Sequence, residues 1–204
     1  LGRRRVDPIE DLLDLRFGVR IDQPGALVRD FQTAHRADGA SAPISQRYYL
    51  GDAVFLAAVE GDVDLVTTLD GALRRPVFPL YLGRRACPPA GPIRAEVHDT
   101  PLRAVLETMP WRAARRIRRS HRKPEVAVDI VADADPGDDL RGDAIPALVR
   151  DVPQSFDPVR REYGVRRVVR YRTVISNPDG APRSESVPGS GSIGDHDPFD
   201  ALEG

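Results

Sequence analysis

With a single cysteine, Cys87, this 204-residue chain cannot form an internal disulfide. That suits a reducing compartment, and a cytoplasmic protein is expected. One cysteine and four separated histidines (His35, His98, His121 and His196) give no metal-ligand spacing. A glycine-rich loop that could cradle a nucleotide phosphate is also missing. No apolar run approaches the ~18–20 residues that cross a bilayer. The basic opening, Leu1-Gly2-Arg3-Arg4-Arg5, has no apolar stretch behind it and is not a signal peptide. No cofactor, metal or membrane is therefore expected. Aromatics make up only 6% of the chain, but 41% of its residues are hydrophobic, enough for an ordinary core.

Proline and glycine are plentiful, at 19 and 17 residues, which makes the chain rich in loops. The net charge of −1 conceals a polarity. No basic residue lies beyond Arg183, whereas five acids do: Glu185, Asp195, Asp197, Asp200 and Glu203. Residues 1–183 thus hold 30 basic side chains against 26 acidic ones. The excess is mostly arginine, whose fork suits phosphate oxygens, so nucleic-acid binding is permitted without being required.

Asp7-Pro8-Ile9-Glu10 has the features of a helix start, and the helix should end near Asp14. Arg16 to Asp22 alternates, with Phe17, Val19 and Ile21 on one face and arginines on the other, as in a half-buried strand. After the Gln23-Pro24-Gly25 turn, Leu27 to Thr33 is extended and His35 to Ser45 is a loop. Asp52 to Val59 is apolar on both faces, which predicts a central strand. Asp62 should cap a helix bearing Leu65, Val66, Leu69 and Leu73 on one side. A short strand is expected over Phe78 to Leu82 and an irregular loop over 83–92. Thr100-Pro101 should open another helix, with Leu102, Val105, Leu106 and Met109 inward. Seven Lys/Arg residues fall within 112–123. Strands are expected over Glu125 to Val131 and Val165 to Ile175, separated by an acidic loop, Asp133 to Asp143. The composition predicts a disordered tail from Asn177 onward. The organisation expected is α+β, with a core over 1–95, a second part over 96–176 and an acidic tail over 177–204.

Three blocks, in order, resemble the CasD family. They are Arg16 to Gly25 continuing through Leu27 to His35, then Ser45 to Phe55 with Glu60-Gly61, then Arg75 to Pro89. The likeness is close over about residues 1–95. It is looser to about residue 175, through Gln154-Ser155-Phe156 and Arg166 to Arg172, and absent from the tail. It implies a ferredoxin-like sandwich of the repeat-associated RNA-binding CRISPR type, with a protruding hairpin over about 27–50 and a smaller β-rich C-terminal part. The family's opening strand and helix have no counterpart before Leu1, so an N-terminally incomplete core is expected. Ala86 stands where serine is common in the family. The role implied is a subunit of the type I-E CRISPR Cascade complex in antiviral defence. Such a subunit holds the 5′ handle of the guide RNA, caps the CasC backbone and contacts the large subunit CasA, while guide processing is assigned to CasE.

Individual motifs carry this chemistry in different ways. Arg84 and Arg85, on a proline-braced loop, either fork onto phosphates or pair with acidic neighbours. The hairpin segment offers Arg29, Gln32, Thr33, His35 and Arg47 as polar contacts, with Phe31, Tyr48 and Tyr49 for stacking. Tyr48 and Tyr49 must face opposite ways on a strand, so at least one belongs at the surface. Arg112, Arg115, Arg116, Arg119 and Arg122 would form a cationic stripe if helical, directed at phosphates or at the acidic Asp133–Asp143 segment. A non-catalytic RNA-binding subunit is the reading adopted. The alternatives are a metal-free endoribonuclease using His35, as the related type I-C subunit implies, and a purely structural cap.

Overall fold

The computed structural model describes residues 10–33, 44–135, 144–156 and 160–180. Its elements in order are α1 (Glu10–Leu13), β1 (Arg16–Gln23), β2 (Ala26–Gln32), β3 (Ser45–Gly51), β4 (Val54–Glu60) and α2 (Val63–Arg74). They are followed by α3 (Leu102–Thr108), α4 (Arg115–His121), β5 (Glu125–Asp133), β6 (Ile145–Phe156) and β7 (Arg161–Ser176). Five strands form one antiparallel sheet in the order β4-β1-β5-β7-β6, and β2 pairs only with β3. This is the expected mixed α+β class. Strands from 1–95 and from 96–176 share the one sheet.

Helix α3 covers one face of the sheet. Its Leu102 and Leu106 pack against Ile130, Ala132, Val169 and Tyr171, with Leu56 and Ala58 at the margin. Gly18 permits this approach, because a Cβ there would lie 2.7 Å from Leu106 and 2.9 Å from Leu102. A second cluster, Trp111, Ala113, Val128 and Ile175, lies beneath the start of α4.

β1 is a strand, as its alternation predicts, but the buried face is the polar one. Arg20 and Asp22 are buried, while Phe17 is exposed and Val19 and Ile21 are half-covered. The reason is complete satisfaction of the guanidinium. Arg20 Nε and Nη2 donate to Asp22 Oδ1 (2.6 Å) and Oδ2 (3.0 Å). Nη1 reaches the Leu106 (2.7 Å) and Met109 (2.6 Å) carbonyls, and Nη2 also reaches the Pro110 carbonyl (3.0 Å). All five N–H donors of the side chain are therefore used.

Other expectations are corrected. β4 is an edge strand, not a central one, and its Phe55 and Val59 remain exposed. Residues 78–82 form no strand; Phe78, Tyr81 and Leu82 are exposed and find no strand to pair with among the described residues. The stretch 145–156, for which no strand is predicted, is the edge strand β6, a position where Pro146 and Pro153 are tolerated. The α2 helix forms with Asp62 as its cap, accepting from the backbone of Asp64 and Leu65. None of its residues is fully buried. Asn177 does not begin a tail: it is buried, its backbone N–H donates to the Pro124 carbonyl, and its side chain donates to those of Arg118 and Lys123. The Asp7 cap, the tip of the 35–45 loop and residues 181–204 lie outside the described residues.

Candidate nucleic-acid interface

The β2–β3 hairpin stands apart from the main sheet, and its two faces differ in chemistry. Register pairs Leu27 with Leu50, Arg29 with Tyr48 and Phe31 with Gln46 on one face, and Val28 with Tyr49 and Asp30 with Arg47 on the other. On the first face Phe31 and Tyr48 are each about half exposed, at 54% and 51%. Arg29 lies over the Phe31 ring, 4.9 Å from its centroid. On the second face Tyr49 receives the guanidinium of Arg84, 5.3 Å from the ring centroid. That contact, worth about 0.5–1 kcal/mol at an exposed site, joins the proline-braced loop to the hairpin on the side that also carries Arg47. Tyr48 and Tyr49 point oppositely, as strand geometry demands.

The loop itself is shaped by backbone bonds: Leu82 N–H to the Cys87 carbonyl (2.8 Å) and Cys87 N–H to the Arg84 carbonyl (2.8 Å). Both Arg84 and Arg85 are exposed on it. Gln32 ends β2 half-buried, and Thr33 follows it exposed. His35 lies outside the described residues.

The basic run is helical only over α4, and there the arginines divide. Arg115, Arg116 and Arg119 are exposed. Arg118 turns inward, bonding the Ala113 carbonyl (2.8 Å) and Asp179 (2.7 Å). Arg119 Nε lies 3.9 Å from the same carboxylate. Among the described residues the acidic partner of α4 is thus Asp179. Asp133 instead bonds Arg166, and Asp135 bonds Arg16 and Arg103. Residues 136–143 are outside the described set.

Residues that sequence reasoning passed over hold these parts in place. Asp22 accepts from the Arg112 N–H (2.7 Å) at Oδ2 and from Trp111 Nε1 (2.6 Å) at its carbonyl. Gln23 donates to the Asp52 carbonyl at the hairpin base and accepts from the Ala114 N–H (3.1 Å) that precedes α4. The hairpin and the basic helix are therefore both mounted on the end of β1. A buried polar cluster of this kind leaves no periodic trace in a sequence. The only signal was an Arg-x-Asp-Gln run at the end of an apolar alternation.

Nearby, Asp129 bridges Arg170 (3.1 Å) and Arg172 (3.2 Å). Burial pushes its carboxyl pKa up, but the hydrogen bonds and charges of Arg172 and Arg170 outweigh this and hold it below the usual aspartate range. Among the described residues no group of His, Cys, Asp and Glu could hold a metal ion, and no helix is long and apolar enough to cross a membrane.

Residues 1–169 match the family model described as CRISPR-associated protein (Cas_Cas5). The chain belongs to this family. As a Cas_Cas5 family member it is also similar to a solved chain titled "CRISPR RNA-guided surveillance complex", at 29% identity and a TM-score of 0.61. That likeness covers 90% of this chain and 78% of the other. A search of curated proteins finds no match.

Proposed function

We propose that this chain is the RNA-binding subunit of a type I-E Cascade surveillance complex, holding the 5′ handle of the guide RNA. The observation that carries the reading is the seat of Arg84 on Tyr49, which unites loop and hairpin beside Arg47. One hairpin face then carries Tyr49 with the forks of Arg84 and Arg47, and the other the exposed rings of Phe31 and Tyr48, so the hairpin offers both phosphate-binding and stacking groups, as single-stranded RNA requires. The exposed arginines of α4, a helix tied to the hairpin base through Gln23, offer contacts that neutralise phosphate but read no sequence. Family membership and likeness to a surveillance-complex chain support the assembly context. The partners proposed are the guide RNA, the CasC backbone and the large subunit CasA, in the cytoplasm.

The role is binding without catalysis. The ribonuclease alternative rests on His35, beside the arginines and tyrosines of the hairpin segment. The test is ultraviolet crosslinking of the reconstituted complex to end-labelled repeat RNA. A crosslink from this subunit to the 5′ handle, lost in Arg47→Ala/Arg84→Ala while assembly persists, is the expected result. RNA shortened by the complex and left whole by His35→Ala would replace this reading with a nuclease. Assembly without any crosslink would leave a structural cap.

A further inference from the structure

Between the hairpin base and α4 the main sheet has a gap. β1 stops pairing with β5 at Ile21–Asp129, whereas β5 begins at Glu125 and pairs with β7 along its whole length. Among the described residues, the β5 edge over 125–128 that faces β1 thus has no strand beside it. Trp111 and His121, in edge-to-face contact with ring centroids 5.4 Å apart, fill the place only in part. What remains is a cleft of about 270 Å³ lined by Pro24, Trp111, His121, Ala127, Asp129 and Arg172, among others. This lies just under the roughly 300–1,000 Å³ of small-molecule sites, a size suited to one nucleobase.

We propose that the cleft receives one unstacked guanine base of the bound RNA. The inference rests on the RNA-binding reading above and assigns it a base-reading site. Location is the first argument. Pro24 leads into the hairpin, Trp111 precedes α4 and His121 ends it, so a single strand held by both elements crosses the cleft between them. Chemistry is the second. Asp129 only accepts and Arg172 only donates. Guanine alone among the four bases offers two adjacent donors, N1–H and N2–H, on one edge and two acceptors, O6 and N7, on another. Each Asp129 oxygen takes one arginine hydrogen bond and has a second lone pair for the base, while Arg172 is bonded to it through Nε and carries further donors on its Nη atoms. Apart from the Glu125 carbonyl, which His121 takes, the β5 backbone beyond its pairing with β1 offers further polar groups at the cleft wall, and the rings give it apolar sides.

Trp111 is the sole tryptophan, so its emission reports on this cleft directly. The full chain is titrated at low salt with short oligouridines carrying one central guanosine, adenosine or cytidine, and filter binding measures affinity separately. The guanosine oligomer should quench the tryptophan saturably and bind about tenfold tighter than the others, the low end of what a paired contact to one base confers. Asp129→Asn and Arg172→Met should each erase that preference, with circular dichroism confirming the fold; the exposed Arg172 is the safer of the two. Equal binding of all oligomers with unmoved emission would overturn the cleft while leaving RNA binding intact. No binding of any oligomer would overturn both. Emission that responds to added partner subunits without RNA, and not to guanosine, would make the cleft a protein contact.

Discussion

Arg20 carries a guanidinium with no exposed surface, matched by one carboxylate and three carbonyls. Such a charge is tolerated only while every partner is present. Arg20→Met should cost about 3–5 kcal/mol, because Asp22 is left buried without its counter-charge. Urea denaturation would read this as a lowered midpoint, and adding Asp22→Asn should recover part of the loss. An equal loss in the single and double variants would mean that packing, not charge, is what Arg20 supplies. The same residue explains what could be read from the sequence of β1. Alternation revealed the strand, but hydrophobicity assigned Phe17, Val19 and Ile21 to the inside. The partners that reverse the faces come from Leu106, Met109 and Pro110, some 90 positions away, and no local pattern announces them.

Among elements, β6 and the segment 78–82 show propensity and structure diverging in opposite directions. Phe78 to Leu82 has strand-like residues and, among the described residues, no neighbour to pair with, whereas β6 contains Pro146, Pro153 and exposed Leu148 yet is held along β7. Pairing decides, and pairing is non-local. One tie between β6 and β7 is electrostatic: Arg166 Nε and Nη2 each donate to an Asp151 oxygen at 2.7 Å. Hydrogen bonding to Arg166 lowers the Asp151 carboxyl pKa, against a smaller opposing effect of burial. A lowered folded-state value stabilises above the ordinary aspartate pKa, about 3.9, and the stabilisation is lost as pH falls through the lowered value. Amide exchange at pH 5 and then below pH ~3 should therefore show β6 losing protection before β5. In Asp151→Asn, β6 should be less protected at pH 5 and change little on acidification. Simultaneous loss across β5, β6 and β7 in the native chain would show that the tie contributes nothing separate.

At the scale of the whole molecule, helix α3 and the Trp111 cluster cover one face of the sheet, while Phe17, Phe55, Val59 and Val174 lie exposed. The apolar run of β4 suggested a central strand; in place it is an edge with one half-covered face, because apolarity records what a strand can bury and not its position. The candidate interface was more legible, since arginines and tyrosines advertise themselves by type. Their mounting through Asp22 and Gln23 was not. That mounting allows the contributions of helix and hairpin to be separated in one experiment. Phosphate contacts by Arg115 and Arg119 release counterions, each adding about 0.7 to the slope of log affinity against log salt for a single strand. Glutamine at both positions should lower that slope by about 1.4 and weaken binding most at low salt. Tyr48→Ala removes a stacking face worth about 1–3 kcal/mol and should weaken binding equally at every salt concentration, with the slope unchanged. A slope untouched by losing both arginines would assign α4 to protein neighbours and leave the hairpin, with Arg84, as the whole of the RNA surface.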